Sequence, residues 1–170
     1  MRQYRVIAIP SELVREVRAT GKAPRYGHPA HTEIATGYGP CRHCLRTFHV
    51  GEESRTLFTY DSFFGVEKVP LPGPVFVHAD FCERYSERGG YPQDLLKHAA
   101  VLNAYAKGQK LVTQAHVENG SHETVVQQLL AGAEIDYIQV HDRKAGCFDF
   151  RIEPVPEAGA NLGVTKEFQS

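Results

Sequence analysis

The chain has 170 residues, 42% apolar and 23% charged, and nineteen basic groups against twenty acidic ones leave a net charge of −1. A chain this long buries roughly 70% of its unfolded surface, so one ordinary domain is expected. Balanced charge excludes a polybasic surface for nucleic acid or anionic lipid, and no apolar run approaches the ~20 residues of a membrane span.

Residues 4–9 are rich in β-branched side chains and predict a short strand. Pro10 cuts this stretch short of the about 7–15 apolar residues of a secretory signal, which points to a cytoplasmic chain with reduced thiols. Ser11 is placed to cap a helix through its hydroxyl, with Leu13, Val14 and Val17 on one face and Gly21 as the left-handed stop. Residues 22–40 lack periodicity and read as a long loop, a kind of segment that tends to carry function. Residues 56–60 predict a strand. The prolines of residues 69–74 cannot supply ladder donors, so that run reads as a connector into a strand over residues 75–78.

Residues 94–105 fit a helical stripe through Leu95, Leu96, Ala99 and Leu102. A hairpin of residues 101–106 and 111–117 around Lys107-Gly108 fits them better. Ser121 predicts the cap of a second helix carrying Val125, Val126, Leu129 and Leu130 and ending near Gly132. Residues 135–140 and 147–152 predict a second hairpin around Arg143-Lys144-Ala145-Gly146. The expected fold is a single α+β domain over residues 1–153, a mainly antiparallel sheet with β-hairpins and two or three helices. A loose polar tail is expected over residues 154–170.

The chemistry concentrates in cysteines and histidines, of which there are four and nine. Cys41-Arg42-His43-Cys44 spaces two thiolates so that one metal ion can accept both from a single turn. His78 and Cys82 add an imidazole and a third thiolate, completing a set common in tetrahedral zinc sites. Soft thiolates favour Zn2+ over magnesium or calcium. Four protein ligands close the coordination sphere, which predicts support of the fold rather than hydrolysis. A dithiol redox pair is the rival for Cys41 and Cys44, although Pro40 precedes the pair instead of lying inside it. Arg42 and His43 are the positive neighbours that a low-pKa thiolate there requires. The plainest alternative lets His78 end a buried strand and Cys82 pack as a small hydrophobe. His28 and His31 form a further pair on a proline-broken segment. His49, His98, His116, His122 and His141 have no partner visible in sequence.

Pro40-Cys41-Arg42-His43-Cys44-Leu45, Gly51-Glu52, the strand from Leu57 to Tyr60, Gly73-Pro74-Val75-Phe76-Val77-His78 and the Tyr137-Ile138 and Gly146-Cys147-Phe148-Asp149-Phe150 blocks together resemble a bacterial domain-of-unknown-function family, number 1203. The resemblance spans roughly residues 4–153. It implies no activity, substrate or cofactor. Similar proteins carry Cys-Arg-x-Ser-Leu where this chain has Cys41-Arg42-His43-Cys44-Leu45, and often another residue at His78. Metal binding would then belong to a subgroup, and the shared Cys41, Arg42 and Cys147 suggest a competing thiol site, with the Arg42 guanidinium holding an anionic group. Two functions follow. One is a small cytoplasmic domain with a structural zinc site that binds a ligand or protein partner. The other is a thiol-dependent enzyme or redox protein using Cys41 with Arg42. Nucleic acid and membrane are not expected partners.

Overall fold

The computed structural model describes residues 1–118 and 120–156. In chain order the elements are β1 (Tyr4–Ile7), α1 (Ser11–Thr20), β2 (His31–Ile34), β3 (Ser54–Asp61), β4 (Pro72–His78), a short 3-10 turn at Gln93–Leu95, β5 (Ala100–Ala106), β6 (Lys110–Val117), α2 (His122–Leu130), β7 (Tyr137–Asp142) and β8 (Phe148–Pro154). They form a five-stranded sheet in the order β1-β8-β7-β5-β6 and a three-stranded sheet in the order β2-β3-β4. Every pairing is antiparallel. The architecture is α+β, with the strands divided between two sheets where a single one was expected.

Both expected hairpins form, and β5–β7 pairing joins them side by side. The helical alternative for residues 94–105 is reduced to the 3-10 turn, because Ala100, Leu102 and Ala104 alternate inward along β5. α2 lays Val126 and Leu130 on a core made from the inward face of the larger sheet, chiefly Leu102, Ile138, Val140, Phe150 and Ile152. A second core joins Val14 and Val17 of α1 to Phe58, Val75 and Val77 of the smaller sheet, and it contains Cys41, Cys44 and Cys82. Burying each such Val or Phe contributes about 1.5–3 kcal/mol.

Four local expectations need correction. α1 starts at Ser11 with Pro10 at its cap position, and no side chain caps it. Ser121 does stand at the cap position of α2, but its hydroxyl donates backward to the Glu118 carbonyl at 2.8 Å. The loop of residues 22–40 contains β2, a strand sequence cannot easily show because His-Thr-Glu-Ile lies on an edge with little burial. Pro72 and Pro74 belong to β4 and not to a connector. They are tolerated because β4 pairs with β3 alone, and an edge strand needs no donor on its free side. Gly21 ends α1 in the left-handed conformation as expected, its N–H donating to Val17 O at 2.9 Å. The first part of the expected tail is held, since Val155 N donates to Gln3 O at 2.8 Å. Residues 157–170 of that tail lie outside the described residues.

Gly39 introduces the cysteine turn with φ +95°, and a Cβ there would run into the Phe48 ring. Gly39→Ala is therefore expected to lower stability by about 2 kcal/mol through backbone strain and overpacking. A lower denaturant midpoint at unchanged slope is the readout.

Candidate metal centre

Three chain segments supply the site. Residues 41–45 form a tight turn in which Leu45 N donates to Cys41 O at 2.8 Å and Leu45 takes a left-handed φ of 56°. Cys41 N donates to Arg46 O at 3.0 Å, and Arg42 N to Phe76 O on β4 at 2.9 Å. These bonds lay the turn across the end of β4, where His78 stands. Cys82 follows on an irregular segment, and Ala79 N, bonded to Ser54 O at 3.0 Å, fixes the departure of that segment from the sheet.

Cys41, Cys44, His78 and Cys82 are all buried, and one donor atom from each lies within 4.8 Å of every other. Cys41 Sγ is 3.9 Å from Cys82 Sγ, and Cys44 Sγ is 3.4 Å from His78 Nδ1. Zinc bonds of about 2.3 Å to sulfur and 2.0 Å to nitrogen imply tetrahedron edges of about 3.8 Å between sulfurs and about 3.5 Å between sulfur and nitrogen. Both measured edges match. The cluster is compatible with a metal ion such as zinc, despite the 33 residues between Cys44 and His78.

The surroundings complete the chemistry. His78 turns Nδ1 toward the sulfurs, and its Nε2 lies 3.3 Å from Glu53 Oε2. This is the carboxylate-imidazole order that orients a metal-binding histidine. Sulfur receives donors from two sides, His78 N to Cys41 Sγ at 3.3 Å and Arg18 Nη2 to Cys82 Sγ at 3.5 Å, and the Arg46 guanidinium is raised in pKa by its attraction to Cys44. Arg18 also clamps the His78 carbonyl through Nε at 3.2 Å and Nη2 at 2.9 Å.

Without a cation, the sulfurs compete for ionisation. Burial pushes the Cys41 thiol well up, reinforced by hydrogen bonds with Cys44 and Cys82. Hydrogen bonds from Cys41 and Cys44 hold Cys82 far below the usual thiol range, against the opposing effect of burial, and His43 and His78 add to them. For His78, burial acts downward but hydrogen bonds with Cys44 and Cys82 prevail and push it up to about 10. One favoured thiolate beside a suppressed thiol is what crowding three sulfurs produces, and a divalent cation relieves it.

Cys147 stands apart from the cluster. It is half-buried, with Sγ 3.8 Å from Ala145 O, and it lines a cavity of about 230 Å³ with Tyr60, His141 and Phe148. Arg42 is 2% exposed, with Nε on Phe148 O at 2.8 Å, Nη1 on Pro40 O at 2.6 Å and Nη2 3.0 Å from Asp149 Oδ1. Each of its nitrogens already faces a protein acceptor, so the guanidinium ties the cysteine turn to β8 and has no open face for an anionic substrate. His28 bonds Thr59 and His31 lies beside Glu33, both exposed and away from the cluster. His98 stacks on Tyr38, His122 bonds the His98 carbonyl, and His141 bonds Gln139. Ser11, Arg18, Arg46 and Glu53 carry no marker in sequence. His43 did, since it lies inside the Cys-x-x-Cys spacing.

Fold and site together define a two-sheet α+β protein with a buried centre of three cysteines and one histidine. Residues 38–154 match the family described as Protein of unknown function (DUF1203), and the chain belongs to that family. Neither the curated proteins nor the solved structures compared with it yield a match. β1, α1 and β2 precede the matched residues, so Arg18 and Ser11 reach the site from outside them. Among the described residues, no helix is long and apolar enough to cross a membrane.

Proposed function

We propose that Cys41, Cys44, His78 and Cys82 bind one Zn2+ that fastens the cysteine turn to the end of β4, in a domain whose role is binding rather than catalysis. The single observation carrying this reading is the convergence of three buried sulfurs and one imidazole nitrogen within 4.8 Å of one another, with two of the separations, 3.9 Å and 3.4 Å, at the edge lengths of a zinc tetrahedron. Four protein donors leave no position for water, and all four side chains are buried. A cytoplasmic setting suits such a centre, because its thiols stay reduced there. The partner is a ligand or protein of unassigned chemistry.

Protein purified without added zinc is expected to carry about one equivalent per chain, with anomalous scattering at the zinc edge centred among the four donors. Less than a few tenths of an equivalent in a folded sample overturns the reading. The thiol-enzyme alternative requires fast alkylation of Cys41 at neutral pH. Its complete burial and raised pKa oppose that, so Cys41 is expected to react more slowly than a free thiol.

A further inference from the structure

Ser11 and His43 form a row that ends on one of the sulfurs. Ser11 Oγ lies 2.9 Å from His43 Nε2, and His43 Nδ1 lies 3.2 Å from Cys82 Sγ. The imidazole is 3% exposed and held between α1 and the segment that carries Cys82. Ser11 is the first residue of α1, one past the cap position held by Pro10, and its hydroxyl makes no cap bond. The hydroxyl is directed to His43 instead.

A metal-bound thiolate is only an acceptor, so an imidazole nitrogen facing it must carry the proton. In the neutral imidazole with its proton on Nδ1, Nε2 is a lone pair and the Ser11 hydroxyl donates to it. We propose that His43 is a positioning residue of the metal centre: Ser11 Oγ–H fixes its Nδ1–H tautomer, and Nδ1–H orients the Cys82 sulfur toward the metal. The inference rests on the zinc reading above and adds an outer shell to it. Arg18, two turns farther along the same face of α1, donates to the same sulfur. α1, outside the matched family residues, is thereby coupled to the cluster, and metal binding and α1 docking strengthen each other. Such outer-shell partners typically change metal affinity by about 10–100-fold.

The test uses the full chain loaded with cadmium-113 and labelled with nitrogen-15. His43 is expected to show a protonated Nδ1 and an unprotonated Nε2, with scalar coupling from the Nδ1 proton to cadmium through Cys82 Sγ. A merely structural histidine shows no such coupling. Ser11→Ala and His43→Leu are expected to weaken zinc binding about 10-fold in chelator competition. His43→Asn keeps an N–H near the Nδ1 position and is expected to restore most of the affinity. A proton on Nε2, a His43 nitrogen bound directly to cadmium, or affinity unchanged in folded Ser11→Ala and His43→Leu overturns this inference and leaves the zinc reading standing. Folded protein that takes up neither zinc nor cadmium overturns both.

Discussion

Cys82→Ser is expected to release the metal and lower the thermal midpoint by about 10 °C. Serine stays protonated at neutral pH and offers a hard oxygen where a thiolate is needed, so a three-donor remnant is left. Structural zinc is worth about 10–16 kcal/mol in isolated fingers, which have almost no other core. This chain has two hydrophobic cores, so a loss of about 4 kcal/mol is the proportionate expectation. For a domain of this size each kcal/mol moves the midpoint by about 2–4 °C. Calorimetry with and without a strong chelator checks the cause. Chelation should bring the natural protein down to the midpoint of the variant and leave the variant unmoved. A natural protein indifferent to the chelator would assign the loss to packing of the Cys82 side chain alone.

The second large effect is expected at Arg42→Met, with a loss of about 3–5 kcal/mol at pH 8 and a smaller one at pH 5. Methionine fills similar volume but leaves Asp149 buried without its cation. Burial already pushes the Asp149 carboxyl up to about 7 from an ordinary value of 3.8, with Arg42 pulling it back down and Asp142 adding to the rise. A carboxyl raised in the folded state contributes stability that is full below its unfolded value and is lost as pH rises through its folded value. Removing Arg42 raises the folded value further, so the penalty grows between pH 5 and pH 8. At pH 5 the carboxyl is neutral with or without Arg42, and only the bonds to Pro40 O and Phe148 O are missing. Urea unfolding at the two pH values measures the difference, and Arg42→Met/Asp149→Asn should flatten it. An equal loss at both pH values would rule out the electrostatic cause.

Legibility in sequence followed the kind of interaction involved. The two hairpins were readable because local alternation and Lys107-Gly108 or Ala145-Gly146 turns specify them at short range. The convergence of Cys41, Cys44, His78 and Cys82 is legible because metal chemistry restricts residue type and spacing so tightly. β2 was not, since its His-Thr-Glu-Ile run owes its conformation to register against β3 and not to any pattern of its own. β4 was half visible, hidden by two prolines that only an edge position permits. Ser11 read as a cap because the hydroxyl's actual partner, His43, lies 32 residues away and was invisible to local reasoning. The competing reading of Arg42 as an anion holder arises for the same reason, its acceptors on β8 being 106 residues distant or more.

The pairing of Tyr4 with Pro154 has a consequence for biosynthesis. Cys41, Cys44, His78 and Cys82, with α1 and the smaller sheet, leave the ribosome before residue 83, whereas β1 gains its neighbour only when the last strand has emerged. The nascent chain thus presents a finished set of thiols well before Arg42 meets Asp149 and before the larger sheet can close. Capture of a cation at that moment would shield the cysteines from oxidation and organise the leading half, leaving the trailing hairpins to zip onto a pre-formed template.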